Sequence, residues 1–335
     1  MARSSKAKAE ISNRSKLIEA LSFVAVADTG KDVDKYAYVK IRNGFATALN
    51  DVFTIGAPVE VELDLCLHGE KLKAALEHCG PNFQLTQLDD VSVSVKSEKF
   101  RATIPAFSAD TLPPGEPDDA IASINDNIKS AFTLCNPLIS GKGTRLLDDC
   151  MLLRAYTAVA TNGHMAFEYF HGIDLPPNLL IPKLTVTVIS KMKKPLTHFG
   201  YAPNKSVTFW FEDGSFIKTK LCDGEYPDVD KLYQQFNGHP FYPLPENFFE
   251  GLDAIDKFSE NDSVYFQQGY VSTHRSLQIG ANYRVDGLPP GFCFNAGFWK
   301  RVKEICGQVC FLPDIKAPVC FHGTNVRGLI MGKHG

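Results

Sequence analysis

Carboxylates and imidazoles that could perform acid–base or metal chemistry occur in the middle of the chain, at Asp148, Asp149, His164, His171 and Asp174. Side chains of these types transfer protons or hold a divalent ion when a fold brings them together. Their spacing here matches no known ligand or catalytic pattern. We therefore predict no catalytic residue and no metal site, with an enzyme of unrecognised type as the less favoured alternative.

Two further features bear on cofactors. Residues 141–144 read Gly-Lys-Gly-Thr, which lacks the G-x-x-x-x-G-K-[ST] order of a phosphate-binding loop, so a plain loop is predicted there. The nine cysteines stand among apolar neighbours, with no C-x-x-C pair and no His at zinc-finger spacing. The sequence thus predicts reduced core cysteines and no cofactor.

The composition is that of an ordinary globular protein of 335 residues and 37.0 kDa, with 44% hydrophobic and 22% charged residues. No apolar run approaches the roughly 20 residues of a membrane span, so we expect a soluble chain with no membrane partner. A formal net charge of −3 argues against a surface that binds nucleic acid everywhere, since phosphate neutralisation needs concentrated Lys and Arg. A local basic face remains compatible with this charge.

The elements that must position these side chains follow one pattern that occurs three times. In each repeat a short apolar strand leads into a helix with basic residues, and further strands follow. The helices start at Gly69, Pro182 and Asn295, about 113 residues apart, which is one ordinary domain length. Apolar residues at helical spacing, such as Leu72 and Leu76, predict that each helix packs one face on a sheet.

A second helix is predicted near the beginning of each repeat, over residues 11–26, 118–135 and 245–259. Strands that alternate apolar and polar residues bury one face only, as antiparallel sheets covered by helices do. We therefore predict an α+β fold with two helices on antiparallel sheets in each repeated domain. The predicted domains comprise residues 1–112, 117–236 and 240–335.

Two segments carry a resemblance to a known family. Residues 158–164, Ala-Val-Ala-Thr-Asn-Gly-His, resemble the T-D-G-H-R-L strand and turn in the second domain of bacterial DNA polymerase III beta subunits, the DNA sliding clamps. Residues 221–228, Leu-Cys-Asp-Gly-Glu-Tyr-Pro-Asp, are similar to that family's K-L-x-D-G-x-[FY]-P-D run. The helix start at 181–183 and the apolar stretch at 329–332 also resemble the family. In the first segment Asn replaces the usual Asp, and Met165 replaces the usual Arg.

This resemblance implies three sliding-clamp domains per chain and a homodimer that forms a ring around duplex DNA. It implies a DNA polymerase processivity factor without enzyme activity, which tethers DNA polymerase and the clamp loader through short peptide motifs. The expected source is a phage or a divergent bacterium, and the expected location is the cytoplasm of the bacterial cell or phage-infected host. A clamp-like binding or decoy module that does not encircle DNA is the main alternative.

The resemblance also assigns residues to three surfaces. Basic residues of the predicted helices would face DNA in the central channel: Arg14, Lys16, Lys71, Lys73, Lys129, Lys191, Lys193, Lys194, Lys257, Lys300, Arg301 and Lys303. An apolar pocket between the second and third domains would bind partner peptides through Thr161, Gly163, His164, Met165, Pro227, Lys231, Leu232, Pro318, Leu329 and Met331. The dimer interface would include Phe100, Ile104, Ile255 and Phe258.

Overall fold

The computed structural model describes residues 2–28, 34–80, 82–142, 145–259 and 261–333. The chain forms two compact units: unit 1 comprises Met1–Lys129 and Leu184–Leu221, and unit 2 comprises Ser130–Lys183 and Cys222–Gly335. The α-helices of the described residues are α1 (Ala2–Val24), α2 (Gly69–Glu77), α3 (Asn127–Cys135), α4 (Leu146–Asp149), α5 (Lys183–Lys191), α6 (Asp230–Gln234), α7 (Phe248–Ile255) and α8 (Ala296–Val302). Within these ranges, no helix has the length and apolarity needed to cross a membrane.

The strands of the first half of the chain are β1 (Tyr38–Arg42), β2 (Phe45–Leu49), β3 (Phe53–Pro58), β4 (Leu65–His68), β5 (Phe83–Asp89), β6 (Ser92–Ser97), β7 (Arg101–Ser108), β8 (Ala120–Ser123), β9 (Cys150–Leu153), β10 (Thr157–Thr161) and β11 (Met165–Phe170). Those of the second half are β12 (Leu179–Pro182), β13 (Leu196–Ala202), β14 (Ser206–Phe211), β15 (Phe216–Lys220), β16 (Tyr242–Pro243), β17 (Ser263–Gln267), β18 (Tyr270–Ser272), β19 (Asn282–Arg284), β20 (Cys293–Asn295), β21 (Gln308–Cys310), β22 (Val319–Gly323) and β23 (Val326–Ile330).

Unit 1 is built on one eleven-stranded sheet in the order β5-β6-β7-β4-β1-β2-β3-β15-β14-β13-β8. Its joint between β3 and β15 is antiparallel, with Ile55 opposite Ile217. Helices α1 and α2 contribute the buried side chains of Leu21, Leu72 and Leu76. The predicted spacing of apolar residues on α2 is therefore confirmed, because its two leucines lie in the core.

Unit 2 contains an eight-stranded sheet in the order β12-β9-β10-β11-β23-β22-β21-β16 and a four-stranded sheet in the order β19-β18-β17-β20. Strand β23, near the C-terminal end of the described residues, pairs antiparallel with β11 from the middle of the sequence. An aromatic core lies beside the smaller sheet, where the fully buried Trp299 packs edge-on against Phe248 at 5.0 Å and Phe294 at 5.6 Å. Such edge-to-face contacts are a favoured arrangement of aromatic rings.

The predicted repeat of strand and helix is confirmed, because β4 leads directly into α2, β12 into α5 and β20 into α8. With its antiparallel sheets and helices the chain has the predicted α+β fold. The division into domains at residues 1–112, 117–236 and 240–335 stays a prediction.

The helix predicted over residues 118–135 was wrong in its first half, since residues 120–123 form the edge strand β8 and α3 begins only at Asn127. The physical reason is Asp118, which is 7% exposed and accepts hydrogen bonds from the hydroxyls of Ser206 and Thr208 at 3.0 Å each. These bonds fix the segment beside β13 and β14. The helix starts after this strand, where the Asn125 side chain accepts the Asn127 N–H at 2.9 Å.

Candidate functional site

The turn between β10 and β11 is held by its own side chains. Thr161 Oγ1 donates to the carbonyl of Met165 at 2.7 Å and accepts the N–H of Gly163 at 3.1 Å. Asn162 Oδ1 accepts the N–H groups of His164 at 2.9 Å and Met165 at 2.8 Å. Gly163 has φ of +83°, a backbone conformation that favours glycine. The turn therefore presents His164 from a rigid backbone, and the Asn that replaces the usual Asp makes these bonds as an acceptor.

The second recognised segment reaches this turn through Tyr226. The phenolic oxygen of Tyr226 accepts the N–H of Thr161 at 3.1 Å, and burial raises the pKa of Tyr226 above its usual value, so the phenol stays protonated. Arg145, which directly precedes α4, donates to Asp148 at 2.9 Å and to the carbonyl of Asn162 at 3.5 Å. The two segments that carry the resemblance thus meet in the structure.

The closing strand is the third component of the site. In the antiparallel ladder of β11 and β23, Met165 lies opposite Ile330 and Ala166 opposite Leu329. Beyond the ladder, Met331 donates its N–H to the carbonyl of His164 at 2.8 Å. The half-buried side chain of Met331 is thereby fixed beside the turn.

An apolar cluster lies behind these three components. We call it the unit-2 cluster; it consists of Cys150, Leu152, Val159, Ala166, Leu180, Val229, Tyr233, Phe236, Cys310, Cys320 and Leu329. Leu232 and Tyr226 are partly buried against it. The cluster fixes the relative positions of the turn, the segment around α6 and the closing strand.

The ten residues predicted for the pocket all lie in unit 2, but they differ in exposure. The exposed ones are Gly163, His164, Pro227 and Lys231, the half-buried ones are Leu232 and Met331, and the buried ones are Thr161, Met165, Pro318 and Leu329. Leu329 is 1% exposed and belongs to the unit-2 cluster, so its side chain supports the surface from beneath. Lys231 pairs with Asp228 at 3.4 Å.

An ion-pair network centred on one buried carboxylate, which sequence reasoning missed, stabilises the same region. The carboxylate of Glu168, 6% exposed, contacts Arg327 at 2.6 Å and Arg154 at 3.4 Å. Asp230 completes the network at 3.0 Å from Arg154 and 3.5 Å from Arg327. The Arg327 guanidinium also lies over the ring of Tyr233 at 4.1 Å. Because Asp230 begins α6 and Arg327 is on β23, the network connects the helix that carries Leu232 to the strand that directly precedes Met331.

The side chains considered for catalysis or metal binding have other roles in the structure: Asp148 is in an ion pair and His171 is buried. Asp148 is paired with Arg145, whose hydrogen bond holds the pKa of Asp148 below its usual value. His171 is 1% exposed, and burial lowers its pKa. Across the described ranges, no three His, Cys, Asp or Glu side chains are grouped so that they could hold a metal ion. Gly143 and Thr144 of the loop considered for phosphate lie outside the described residues.

All nine cysteines are free thiols. Six are buried and three are half-buried, as predicted for core residues. Cys150 and Cys222 contact one another at the edge of the unit-2 cluster, where the hydrogen bond between them and burial raise the pKa of Cys150. Both thiols are therefore part of the packing of this region.

Of the twelve cations predicted to face DNA, eight are engaged by neighbours. Six form ion pairs: Lys16 with Glu60 at 2.8 Å, Lys73 with Glu70 at 3.8 Å, Lys129 with Asp126 at 2.9 Å, Lys194 with Asp213 and with Glu19 at 3.7 Å, Lys300 with Asp256 at 2.5 Å, and Lys303 with Asp253 at 3.0 Å. Two donate to carbonyls, Arg14 to Cys79 and Arg301 to Pro137 at 3.1 Å.

Lys71, Lys191, Lys193 and Lys257 are exposed and have no ion-pair partner among the described residues. The prediction that all twelve cations sit on helices was only partly right, because α5 ends at Lys191 and α8 ends at Val302. Lys193, Lys194 and Lys303 follow those ends.

The residues predicted for a dimer interface also differ in exposure. Ile104 is 4% exposed and Ile255 is 3% exposed, so both side chains belong to the core of their own chain. Phe100 is half-buried and lies near the ring of His78, with centroids 5.6 Å apart. Phe258 is 63% exposed. In this chain the Phe258 side chain is exposed enough to contact another subunit, whereas the side chains of Ile104 and Ile255 are buried.

Comparison with known proteins was informative at the level of structure. No protein-family model and no curated protein matches the sequence. Solved structures of bacterial sliding clamps do match. The DNA polymerase sliding clamp from Bacillus subtilis is 14% identical with a TM-score of 0.77, over 96% of this chain and 98% of that one. The clamp from Caulobacter crescentus is 18% identical with a TM-score of 0.76, over 96% and 98%.

The Helicobacter pylori beta clamp bound to a DNA ligase peptide is 17% identical with a TM-score of 0.75, over 96% of this chain and 99% of that one. The chain therefore has the fold of the bacterial DNA polymerase III beta sliding clamp along almost its whole length. The resemblance found in the sequence is confirmed at this level, and the low identities fit a divergent sequence.

Proposed function

We propose that this chain is a DNA sliding clamp, a non-enzymatic processivity factor that encircles duplex DNA and tethers replication enzymes in the cytoplasm. The proposal rests on the arrangement of three components of unit 2. The turn at Gly163, the α6 segment and the closing strand meet around the unit-2 cluster, in a chain with the beta-clamp fold. These are the components that the sequence resemblance assigned to a partner-binding surface.

The exposed part of this surface suits a short peptide. Leu232 and Met331 offer apolar area, and the unbranched thioether of Met repacks against different partners. The turn to which Met331 is bonded is fixed by its own hydrogen bonds, so little order has to be gained there on binding. The likeness to a clamp bound to a DNA ligase peptide supports the same mode here. DNA polymerase and the clamp loader are the expected partners.

Ring closure by a second copy follows from the way the strands already pair within the chain. In the first repeat, the third strand after the first helix is β3, and it pairs with β15, the last strand of the second repeat. In the second repeat, the corresponding strand is β11, and it pairs with β23, the last strand of the third repeat. The equivalent strand of the third repeat, β19, is at the edge of its sheet. Its counterpart would be β7 of a second copy. We take the number of copies in this proposed ring, two, from the family resemblance, so the proposed assembly is a homodimer.

Strand β7 has the free backbone groups that this pairing needs. Residues 101–105 pair with β6 and residues 106–108 pair with β4. The Ser97 N–H donates to the Phe100 carbonyl, and the Ala106 N–H donates to the Val91 carbonyl. In an antiparallel pair every second residue faces its partner strand with its backbone groups, so the even-numbered residues of β7 face β6. The N–H groups of Arg101 and Thr103 therefore point away from β6. Pro105, which lacks an N–H, lies on the same edge.

The dimer is tested by the mass in solution of Thr103→Pro and of its control Thr103→Val, measured by light scattering at micromolar concentration. Proline removes the outward N–H, whereas valine keeps it. We expect wild type and Thr103→Val at twice 37.0 kDa and Thr103→Pro shifted toward a folded monomer. A wild-type monomer would contradict the ring and favour a clamp-like binding module that does not encircle DNA. A dimer unaffected by proline would contradict this strand pairing.

Contact with DNA is proposed to be weak and independent of sequence, through long cationic side chains and phosphates. The exposed cations without ion-pair partners among the described residues, Lys71, Lys191, Lys193 and Lys257, are the first candidates. The eight engaged cations keep their charge but are held by neighbouring groups. The mildly acidic net charge of −3 fits a protein whose attraction to DNA is local.

A further inference from the structure

A cavity of unit 2, about 570 Å³ in volume, lies beside the four-stranded sheet. Tyr265 of β17 and Cys293 of β20 contribute to its wall, and Ile315 closes another side. Three basic side chains also line it: Arg275, Lys316 and Lys333. We call it the cationic pocket.

The charge of the cationic pocket is one-sided, since none of its described lining residues is acidic. Lys333 is oriented by two bonds of 2.7 Å from its ammonium, to Ser263 Oγ and to the carbonyl of Asn261. Arg275 and Lys316 are exposed, and neither has an ion-pair partner in the part of the chain that the structure describes. The nearby Asp314 accepts the backbone N–H of Lys316 at 2.9 Å and is not part of the lining.

This pocket lies close to the proposed peptide surface along the closing segment. Met331 bonds to the turn through His164, and two residues later Lys333 donates its N–H to the carbonyl of Cys293 at 2.7 Å in the pocket wall. Two extended residues span about 7 Å, so the apolar and cationic surfaces are neighbours. The loop with Ile315 and Lys316 likewise leads directly into Pro318.

We propose that the cationic pocket binds carboxylate groups of the same partner peptide, beside the segment whose apolar side chains pack on Leu232 and Met331. This inference rests on the proposed function. Tyr265 and the half-exposed Ile315 give the pocket an apolar wall, which suits the carbon chains of Asp and Glu side chains. A concave pocket of about 570 Å³ holds a few side chains, whereas duplex DNA presents its phosphates on a convex surface.

The test uses three fluorescein-labelled peptides with the same apolar anchor residues, taken from a peptide selected for binding to the wild-type chain. The first has three acidic residues after the anchors, the second has them before the anchors, and the third has Asn and Gln in their place. Each is titrated by fluorescence anisotropy against wild type, the double variant Arg275→Gln/Lys316→Gln and the control Lys96→Gln/Lys205→Gln. The control removes two exposed cations of unit 1 and so matches the change in net charge.

We expect one of the two acidic peptides to bind wild type about three- to tenfold more tightly than the neutral one, the range for two or three exposed ion pairs. This gain should shrink as NaCl is raised from 50 to 500 mM. In the Arg275→Gln/Lys316→Gln variant the gain should fall below twofold with the affinity for the neutral peptide kept, and in the control it should persist.

Two results would overturn the inference while leaving the proposed function in place: no gain from acidic residues on either side of the anchors, or a gain that persists in the double variant. Loss of DNA retention by the double variant with an unchanged peptide gain would assign the pocket to phosphate instead and overturn it too. If the neutral peptide bound equally to wild type and Met331→Ala, the peptide surface itself, and with it the proposed function, would fail.

Discussion

Replacing Met331 and Leu329 separately by alanine should separate partner binding from folding. The two residues are neighbours on the closing segment, yet Met331 is half-buried and Leu329 is 1% exposed within the unit-2 cluster. Met331→Ala removes apolar surface that a bound peptide can cover. Leu329→Ala removes buried side-chain atoms that no peptide can reach. The first change should therefore weaken binding and the second should weaken the fold.

The magnitudes follow from burial. Suppose that a bound peptide buries about 40 Å² of the Met331 side chain and a similar area of its own surface against it. At about 25 cal/mol per Å², removing this contact weakens the binding free energy by on the order of 1 to 2 kcal/mol, which is roughly five- to thirtyfold in Kd. For Leu329→Ala, the lost transfer free energy and the cavity left in the cluster should lower the free energy of unfolding by about 2 to 5 kcal/mol. Its effect on peptide affinity should stay below twofold while the chain is folded.

The assay pairs anisotropy titration of the labelled peptide with urea unfolding of each variant. Met192→Ala is the matched control, because Met192 is also half-buried but lies in unit 1. Met192→Ala should change neither the peptide affinity nor the free energy of unfolding by much more than the experimental error of the wild-type measurements. The reasoning would be refuted if Met331→Ala bound the peptide like wild type, or if Leu329→Ala kept full stability and lost peptide affinity instead.

Three further changes test the network, the turn and the cations. Glu168→Gln should lower the free energy of unfolding by about 1 to 3 kcal/mol in urea titrations, because two arginines lose a buried charged partner and keep only the half-exposed Asp230. Asp148→Asn should be less stable than wild type at pH 7. Since Arg145 lowers the pKa of Asp148 from 3.8, that deficit should persist above about pH 3.8 and vanish as pH falls through the lowered value, measured by urea unfolding at each pH. Replacing Lys191 and Lys193 by alanine should reduce the salt dependence of DNA binding by about one unit of slope for each phosphate that is no longer neutralised, with unchanged unfolding.

The sequence predicted those features that depend on local order along the chain. The strand that precedes each of the helices at Gly69, Pro182 and Asn295 is visible as an apolar run, and the structure contains all three. The Asn162–Gly163 turn and the D-G-x-Y-P-D segment were recognisable because turn chemistry requires particular residue types. The hydrogen bond between Thr161 and Tyr226 joins the two segments in the structure, a contact that neither segment alone specifies.

Features that depend on partners far away in the sequence were missed. Asp118 is fixed by hydroxyls about 90 positions later, so the strand at 120–123 could not be told from a helix by local pattern. Arg327 meets Glu168 across 159 positions, and nothing in either segment alone indicates a buried ion pair. The resemblance assigned Leu329 and Ile104 to binding surfaces, but the pleat of their strands turns both side chains into the core.

Retention on circular DNA tests the proposed function most directly. The protein is loaded onto nicked circular plasmid with a clamp loader and passed through a sizing column in about 150 mM NaCl, before and after a restriction enzyme linearises the plasmid. A ring linked topologically to DNA should co-elute with the circle and be lost from the linear form, because it slides off the ends. Equal retention on circular and linear DNA, or no retention on the circle with a loader that opens this clamp, would contradict the proposal.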